Sequence, residues 1–296
     1  MQQVLTVIAP ARTPLTAAEL ARARAAIEAL GAPTLPPDWL GAGEAADIPF
    51  SGLAPDQAEA AARGALDGPR DLVAQAAGGR RKRLLIADMD STIVTSETLD
   101  ELAAFAGLKE KVAAITARSM NGEIDFATAL RERVAMLEGL PETALEKTWA
   151  ATRLMPGAAT LVATMRAHGA FCALVSGGFT FFTGRVRSQL GFDLDRANVL
   201  EIERGHLAGR VSEPILDRDA KLTTLRRLAA ERGLSLAETC TVGDGANDIA
   251  MLQAAGLGVA FRARPRVAAA ARVRIDHADL TGLLFAQGYR RDEFRG

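Results

Sequence analysis

Short apolar runs alternate with segments of helical periodicity over most of the chain after residue 80. Residues 84–87, Leu-Leu-Ile-Ala, form a continuous apolar run. Such a run predicts a strand that is buried on both faces, because only a half-exposed strand needs to alternate apolar and polar residues. Helical segments lie between most of the strands, which predicts an α/β fold with a doubly wound, mostly parallel sheet. The other predicted core strands are 171–175, 239–242, 258–261 and 273–275.

A helical stretch interrupts this alternation soon after the first core strand. It covers residues 97–154, where glycine, asparagine and proline separate four candidate helices. The α/β pattern resumes at Pro156-Gly157, and a hairpin predicted at 199–211 turns on Gly205. We therefore predict an α/β core of residues 80–96 and 155–296 with a helical domain inserted at 97–154. The candidate helices of the insertion are 99–106, 110–118, 126–137 and 142–151.

Residues 1–79 have a different pattern, which predicts a separate α+β domain. Thr16 and Glu19 have the spacing of a capping box and predict the start of its first helix. The glycines that end at Gly79 permit a flexible turn, so we place the domain boundary there. The predicted elements are strand 4–9, helix 17–30, a strand within 39–50, helix 56–66 and strand 71–75.

Composition and charge exclude several classes of protein. The chain has 296 residues, of which 49% are hydrophobic and 24% are charged, and its net charge is −1. This length suggests about two domains, and the charge gives no general attraction to nucleic acid or to anionic membranes. No apolar run reaches the ~20 residues that span a bilayer, and the first residues lack the basic start of a signal peptide. We expect a cytoplasmic protein without nucleic-acid or membrane partners.

Two aspartates follow the first core strand directly. Asp88 and Asp90 stand one residue apart, immediately after residues 84–87. Ligands bind at the carboxyl ends of the strands in an open α/β sheet, so chemistry is expected here. Two carboxylates this close repel each other, which favours a bound cation, and Mg²⁺ prefers oxygen ligands. The alternative is that the aspartates only cap a turn.

Three further loops place polar residues at predicted strand ends or helix starts. Ser176 and Gly177 lie in a predicted tight turn, where a hydroxyl and a backbone N–H can hold a phosphoryl oxygen. Lys221 lies in the first turn of a predicted helix, where a cation opposes the helix dipole. It is either a solvated lysine or a phosphate clamp. The string Gly-Asp-Gly-Ala-Asn-Asp at 243–248 joins a strand to a helix, where its last side-chain oxygens suit N-capping.

Taken in order, these loops resemble the motifs of the haloacid dehalogenase-like hydrolases. Asp-Met-Asp-Ser-Thr at 88–92 is similar to the first motif, Ser176-Gly177 to the second, Lys221 to the third, and 243–248 to the fourth. With Glu97 following, the first motif is similar to that of the phosphoserine phosphatase family within this superfamily. The resemblance covers residues from about 80 to 296. It implies a magnesium-dependent phosphohydrolase whose inserted helices form a small cap over the substrate.

The resemblance also implies roles for the core residues. Asp88 would be the nucleophile that forms an aspartyl-phosphate. Asp90 would protonate the leaving alkoxide and then accept a proton from the attacking water. Mg²⁺ would be held by the carboxylates of Asp88 and Asp244 and by the backbone carbonyl of Asp90, with Asp248 supporting the metal site. The phosphate would be bound by Ser176, Gly177, Lys221 and Asn247.

Residues of the insertion match the substrate-binding pattern of the same family. Glu97 can meet an ammonium group, and the planar fork of Arg133 suits a carboxylate. Phe126 lies seven residues before Arg133, so both are expected on one helix face. Met120 also matches the pattern. Arg131 stands beside Arg133, and a solvated arginine pair is the alternative.

The function implied is hydrolysis of the small molecule O-phospho-L-serine to L-serine and phosphate, the last step of L-serine biosynthesis. Two alternatives stay open: a phosphotransferase that uses another small alcohol, and a signalling module phosphorylated on Asp88 without turnover. Asp90 argues against the signalling module, since a passive acceptor needs no general acid. Residues 1–79 resemble the small ACT-like regulatory domains, or they serve packing or dimerisation alone. The sequence is compatible with a homodimer.

Overall fold

The computed structural model describes residues 2–120, 123–217 and 219–296, the side chain of Met120 excepted. The first domain consists of β1 (Gln3–Ile8), α1 (Ala17–Glu28), β2 (Asp38–Gly41), β3 (Ala45–Phe50), α2 (Pro55–Ala65) and β4 (Asp71–Ala76). Its antiparallel sheet has the order β2-β3-β1-β4. The helices pack on one face of this sheet, where the side chains of Leu20 and Ile27 share a core with Leu5. The predicted α+β domain is confirmed, including the capping box of Thr16 and Glu19.

The second domain is built on a six-stranded, fully parallel sheet. Its elements are β5 (Leu84–Ala87), α7 (Ala158–Ala167), β6 (Phe171–Phe179), α8 (Thr180–Leu190), β7 (Leu194–Asn198), α9 (Asp219–Glu231), β10 (Thr239–Gly243), α10 (Ile249–Ala254), β11 (Leu257–Phe261), α11 (Pro265–Ala270), β12 (Val273–Ile275) and α12 (Gly282–Ala286). The strand order is β12-β11-β10-β5-β6-β7. Within β5, Leu84 packs with Leu225 of α9, whereas Leu85 shares a cluster with Leu161 of α7. Helices therefore cover both faces, as expected of a doubly wound sheet.

The inserted helices lie between β5 and α7. They are α3 (Thr98–Phe105), α4 (Lys109–Met120), α5 (Phe126–Ala135) and α6 (Thr143–Ala151). A two-stranded hairpin, β8 (Leu200–Glu203) and β9 (His206–Val211), packs against α5. Its backbone also bonds the loop after α5, since Leu207 N donates to the carbonyl of Leu140 at 2.9 Å. The insertion and the hairpin are thus joined by both packing and backbone hydrogen bonds.

The face of the first sheet that carries no helix packs against the second domain. Ile8 and Val73 belong to the same buried cluster as Leu283 and Phe285 of the second domain. Polar contacts cross the same boundary. The Asp71 carboxylate accepts hydrogen bonds from the backbone N–H groups of Asp276, His277 and Ala278 at 2.8–3.2 Å. Within the described residues, no helix is long and apolar enough to cross a membrane.

The structure differs from the sequence-based predictions in three respects. The segment predicted as a turn at Ser176–Gly178 is part of β6, whose ladder with β7 is interrupted between Val175 and Phe179. Two strands, β2 and β3, occupy 38–50, where one was predicted. No element was predicted for β7, α11 or α12. The strand β7 reads Leu-Asp-Arg-Ala-Asn, without an apolar run, and the two helices are too short to show a helical period.

Candidate active site

The predicted catalytic loops meet at the carboxyl edge of the core sheet. β5 lies between β10 and β6, and all three strands run in the same direction. Asp88 follows β5, and its backbone N–H continues the ladder by donating to the carbonyl of Val242 at 3.0 Å. Asp244 follows β10, and Ser176 lies towards the end of β6. The sequence therefore brings these residues together because parallel strands deliver their carboxyl ends to one edge.

Lys221 reaches this edge from the first turn of α9 and is 3% exposed. Its Nζ lies 2.7 Å from Asp88 Oδ1 and 2.6 Å from Asp248 Oδ1. Burial alone would lower the pKa of Lys221, but the two carboxylates outweigh burial and raise it. Lys221 is therefore a fixed, buried cation between two aspartates, and the alternative of a solvated lysine is wrong.

Three carboxylates form a cluster beside this lysine. Single oxygens of Asp88, Asp244 and Asp248 lie within 4.8 Å of one another. Burial, followed by the charge of Asp88, raises the pKa of Asp244 and of Asp248 to about 7 in each case. Thr92 Oγ1 partly offsets this by donating to Asp244 Oδ1 at 2.8 Å. One ammonium group cannot balance three carboxylates, so the donor set fits a divalent cation with a preference for oxygen.

This cluster contains one carboxylate, that of Asp248, beyond the two that were predicted to bind the metal. Its oxygens also accept from Lys221 Nζ at 2.6 Å and from the backbone N–H of Gly245 at 2.9 Å, and its predicted role of supporting the metal site stays a prediction. A Cβ at position 243 would overlap that carboxylate, which explains the glycine there. The Asp90 carboxylate does not belong to the cluster. The predicted contact between the metal and the Asp90 backbone carbonyl stays a prediction.

The Asp90 carboxylate faces the inserted helices instead. Its Oδ1 accepts a hydrogen bond from the backbone N–H of Thr98, the first residue of α3, at 2.9 Å. Its Oδ2 lies 3.3 Å from Ser176 Oγ, which donates to it. Burial and then the charge of Glu97 raise the pKa of Asp90 to about 7, and the Thr98 contact opposes them. A carboxyl group with this pKa can both give and take a proton near neutral pH.

The Ser176–Gly177 segment is held at the interruption of the β6 ladder. Ser176 Oγ accepts a hydrogen bond from the backbone N–H of Gly178 at 2.9 Å. A Cβ at position 178 would lie 2.9 Å from Asp90 Oδ2 and 3.1 Å from Ser176 Oγ. Glycine at this position therefore lets the segment approach the aspartate loop. The Gly177 carbonyl accepts a hydrogen bond from Asn198 Nδ2 at 2.8 Å.

Side chains of the inserted helices close the site from the other side. A Cβ at Gly177 would lie 2.8 Å from the ring of Phe126, so the α5 phenylalanine covers this glycine directly. Glu97 Oε1 accepts a hydrogen bond from Ser91 Oγ at 2.7 Å. Arg133 Nε donates to the Ala129 carbonyl at 3.1 Å, which directs the guanidinium along α5. Burial lowers the pKa of Arg133, and the charges of Asp100, Glu97 and Asp90 partly oppose this change.

Two predicted site residues are less well defined by these contacts. The side chain of Met120 lies outside the described residues. Asn247 lies in the 3₁₀ turn Ala246–Asp248, next to the carboxylate cluster, and is half-buried. Sequence reasoning also missed two residues that shape the site. Thr92 stood within the first motif and could have been recognised there, whereas no motif contains Asn198.

The fold and the site together define a doubly wound α/β protein with clustered aspartates and a buried lysine at its catalytic edge. The model of the haloacid dehalogenase-like hydrolase family matches residues 85–253. The chain belongs to this family.

The chain is also similar to individual proteins and solved structures. A phosphoserine phosphatase of Streptomyces coelicolor is 45% identical over 225 residues, which are 75% of this chain and 55% of that protein. The chain therefore matches little more than half the length of that relative. A probable phosphoserine phosphatase of Vibrio cholerae, solved without ligand, has a TM-score of 0.78 at 31% identity over 99% of this chain and 88% of the other. A phosphoserine phosphatase solved as a phospho-aspartyl intermediate analogue has a TM-score of 0.66 at 38% identity, over 69% and 98%.

Proposed function

We propose that the chain hydrolyses O-phospho-L-serine to L-serine and phosphate through an aspartyl-phosphate on Asp88. The observation that carries the proposal is the pairing of Asp88 with the buried Lys221 at 2.7 Å, beside Asp90 and beneath the inserted helices. The phosphoserine phosphatases of similar sequence and structure support the choice of substrate. A signalling module would require neither Asp90 nor cap residues that close the site.

The geometry supports a different catalytic role for each of the core side chains. Lys221 pairs with Asp88, and a carboxylate oxygen of Asp88 attacks phosphorus. Protonated Asp90 donates its proton to the departing serine oxygen, and the resulting carboxylate takes a proton from the water that hydrolyses the aspartyl-phosphate. The proton therefore returns to Asp90 at the end of each cycle. Ser176, Gly177 and Asn247 bind the phosphoryl oxygens, and Lys221 neutralises their charge.

Mg²⁺ is the divalent cation that we propose for the carboxylate cluster. Asp88 and Asp244 would hold it with carboxylate oxygens and Asp248 would support the site, consistent with the carboxylate cluster. When bound, the ion would offset the negative charge that Asp88 and the phosphate bring together. The Asp90 backbone carbonyl is the additional ligand in this proposal.

Substrate choice is proposed to lie with the inserted helices. Glu97 would meet the ammonium group of phosphoserine and Arg133 its carboxylate. Phe126 and Met120 would contact the remainder of the substrate. Phe126 is well placed for this, since its ring already contacts Gly177.

The proposal assigns the reaction to L-serine biosynthesis in the cytoplasm, with residues 97–154 as the cap, residues 80–96 and 155–296 as the catalytic core, and residues 1–79 as an accessory domain. All proposed catalytic residues lie in the core. The proposed small-molecule substrate needs neither nucleic acid nor membrane, and a homodimer is compatible with the reaction.

A turnover assay over a panel of small phosphate monoesters tests the proposal. Phosphate release should be fastest with phosphoserine, should stop on chelation of divalent ions, and should return when Mg²⁺ is added. An alcohol such as glycerol, added to the assay, distinguishes a phosphotransferase by the appearance of its phosphate ester. Failure to release phosphate from phosphoserine in the presence of Mg²⁺ would contradict the proposed function.

A further inference from the structure

Asn198, the last residue of β7, is a buried amide that joins two backbone segments next to the candidate active site. Asn198 is 2% exposed. Nδ2 donates to the Gly177 carbonyl, and Oδ1 accepts from the backbone N–H of Leu216, each at 2.8 Å. The two ends of one planar amide therefore contact backbone segments that are remote in sequence.

The first of these segments needs support from a side chain. The ladder between β6 and β7 shifts register between Val175 and Phe179, and Phe179 pairs with Asn198 itself. Gly177 lies inside this interruption and takes its hydrogen bond from the Asn198 amide. That bond fixes the orientation of the peptide between Gly177 and Gly178, whose N–H donates to the hydroxyl of Ser176, the proposed phosphate ligand, at 2.9 Å.

The second segment leads into the helix that carries Lys221. Asp217, which follows Leu216, accepts hydrogen bonds from the backbone N–H groups of Asp219 and Ala220 at 2.9 and 3.0 Å. These bonds start α9, whose first turn includes Lys221. An anchor at Leu216 therefore sets where the helix begins, and with it where the ammonium group lies.

We propose that Asn198 is a positioning residue, which fixes the Ser176–Gly177 segment relative to the helix that carries Lys221. The inference rests on the proposed function, because both segments act there on one phosphate. Asn198 does not touch the reacting atoms and acts through the two backbones. A displacement of about 1 Å in a reactive geometry can lower a rate by about 100-fold, so the expected effect is large.

The test compares two substitutions of matched chemistry. Asn198→Asp keeps the shape and the acceptor for Leu216 N–H, but it places an oxygen against the Gly177 carbonyl and removes that bond. Gln287 is a comparable buried amide, 1% exposed, which accepts from the backbone N–H of Lys82 and donates to the Leu283 carbonyl. It lies near the amino end of β5, at the edge opposite the site, so Gln287→Glu is the control.

Binding of inorganic phosphate in the presence of Mg²⁺, measured by calorimetry, gives a readout that does not depend on turnover. Asn198→Asp should raise the Kd of phosphate and should lower kcat/KM for phosphoserine, each by about 10- to 100-fold. Gln287→Glu should lower the melting temperature while both constants stay near the wild-type values. Should Asn198→Asp not fold, Asn198→Ala and Gln287→Ala give the same comparison.

The outcomes separate this inference from the proposed function. If Asn198→Asp folds and binds phosphate as the wild type does, or if Gln287→Glu weakens binding equally, the inference is overturned while phosphoserine turnover by the wild type stands. If the wild type binds phosphate but does not release it from phosphoserine, the proposed function is overturned, and the phosphate affinities still decide the inference. If the wild type neither binds phosphate nor turns over phosphoserine, both are overturned.

Discussion

At the scale of single residues, the balance of buried charge shapes the site. Lys221 contacts Asp88 and Asp248, and removal of one partner from such a group would leave an uncompensated buried charge. The same argument applies to the three clustered carboxylates, because the single ammonium group of Lys221 cannot balance their charge. Burial and the charge of Asp88 raise the pKa values of Asp244 and Asp248 to about 7, which a bound cation would reverse. The carboxylate cluster is therefore suited to bind a metal cation.

Arg133→Ala tests the proposed reading of the substrate carboxylate. Loss of one partner of a buried charge pair costs about 2–5 kcal/mol. At about 1.4 kcal/mol per tenfold, kcat/KM for phosphoserine should fall ~30-fold or more. Phosphoethanolamine has no carboxylate and should lose little activity. The measurement is kcat/KM for both substrates.

Arg131→Ala is the matched control for this prediction, because Arg131 lies on the same helix but makes an exposed ion pair with Glu213. It should change neither constant. Equal losses for the two substrates in Arg133→Ala would show that Arg133 acts on the phosphate or on the structure of the cap.

Much of the site at this scale could be predicted from the sequence, because the motifs carry both residue type and order. Asp88 and Asp244 meet because each follows a strand of the parallel sheet, and Lys221 reaches them from the first turn of α9. The membership of Asp248 in the carboxylate cluster could not be predicted in this way. Its position depends on the rotation of a 3₁₀ turn and on the absence of a side chain at Gly243.

At the scale of elements, the interruption in β6 could not be recognised from the sequence. Ser-Gly-Gly is typical of a turn, yet pairing with β7 on both sides keeps the segment extended. The strand β7 has no apolar run, so its pairing partner, and with it the anchor at Asn198, could not be located from periodicity. Tertiary pairing outweighs local propensity at this place.

Gly178→Ala tests whether this close approach matters for catalysis. The added Cβ would lie 2.9 Å from Asp90 Oδ2 and would push the serine segment away from the aspartate loop. We expect kcat/KM for phosphoserine to fall by at least about tenfold, since small displacements of reactive groups are costly. Gly184→Ala, where a Cβ meets nothing within 4 Å, is the control and should leave activity unchanged. Full activity in Gly178→Ala would show that the contact is not needed.

At the scale of the whole molecule, the first domain is firmly attached to the catalytic core. Its open sheet face shares a buried cluster with α12, and the Asp71 carboxylate accepts bonds from successive backbone N–H groups after β12. The sequence predicted an α+β unit ahead of the α/β core, and the boundary at Gly79 stays a prediction. It did not predict this attachment, because the pairing of two apolar faces from different domains leaves no local pattern.

Asp71→Ala should destabilise the molecule without affecting catalysis. Hydrogen bonds to a charged group contribute about 1.5–3 kcal/mol, and removal of Asp71 leaves buried N–H groups without their partner. The melting temperature should fall by several degrees, while kcat well below the transition stays unchanged. Asp67→Asn, at a fully exposed side chain of the same domain, should leave the melting temperature unchanged. A loss of kcat in folded Asp71→Ala would show that the first domain contributes to the active site.

The central claim is that Asp88 is the nucleophile, and phosphate release by Asp88→Asn tests it most directly. The amide is a poor nucleophile and a weak metal ligand, so release from phosphoserine in the presence of Mg²⁺ should fall below detection. Circular dichroism should show that the variant keeps the wild-type fold. Near-normal phosphate release by folded Asp88→Asn would contradict the covalent mechanism.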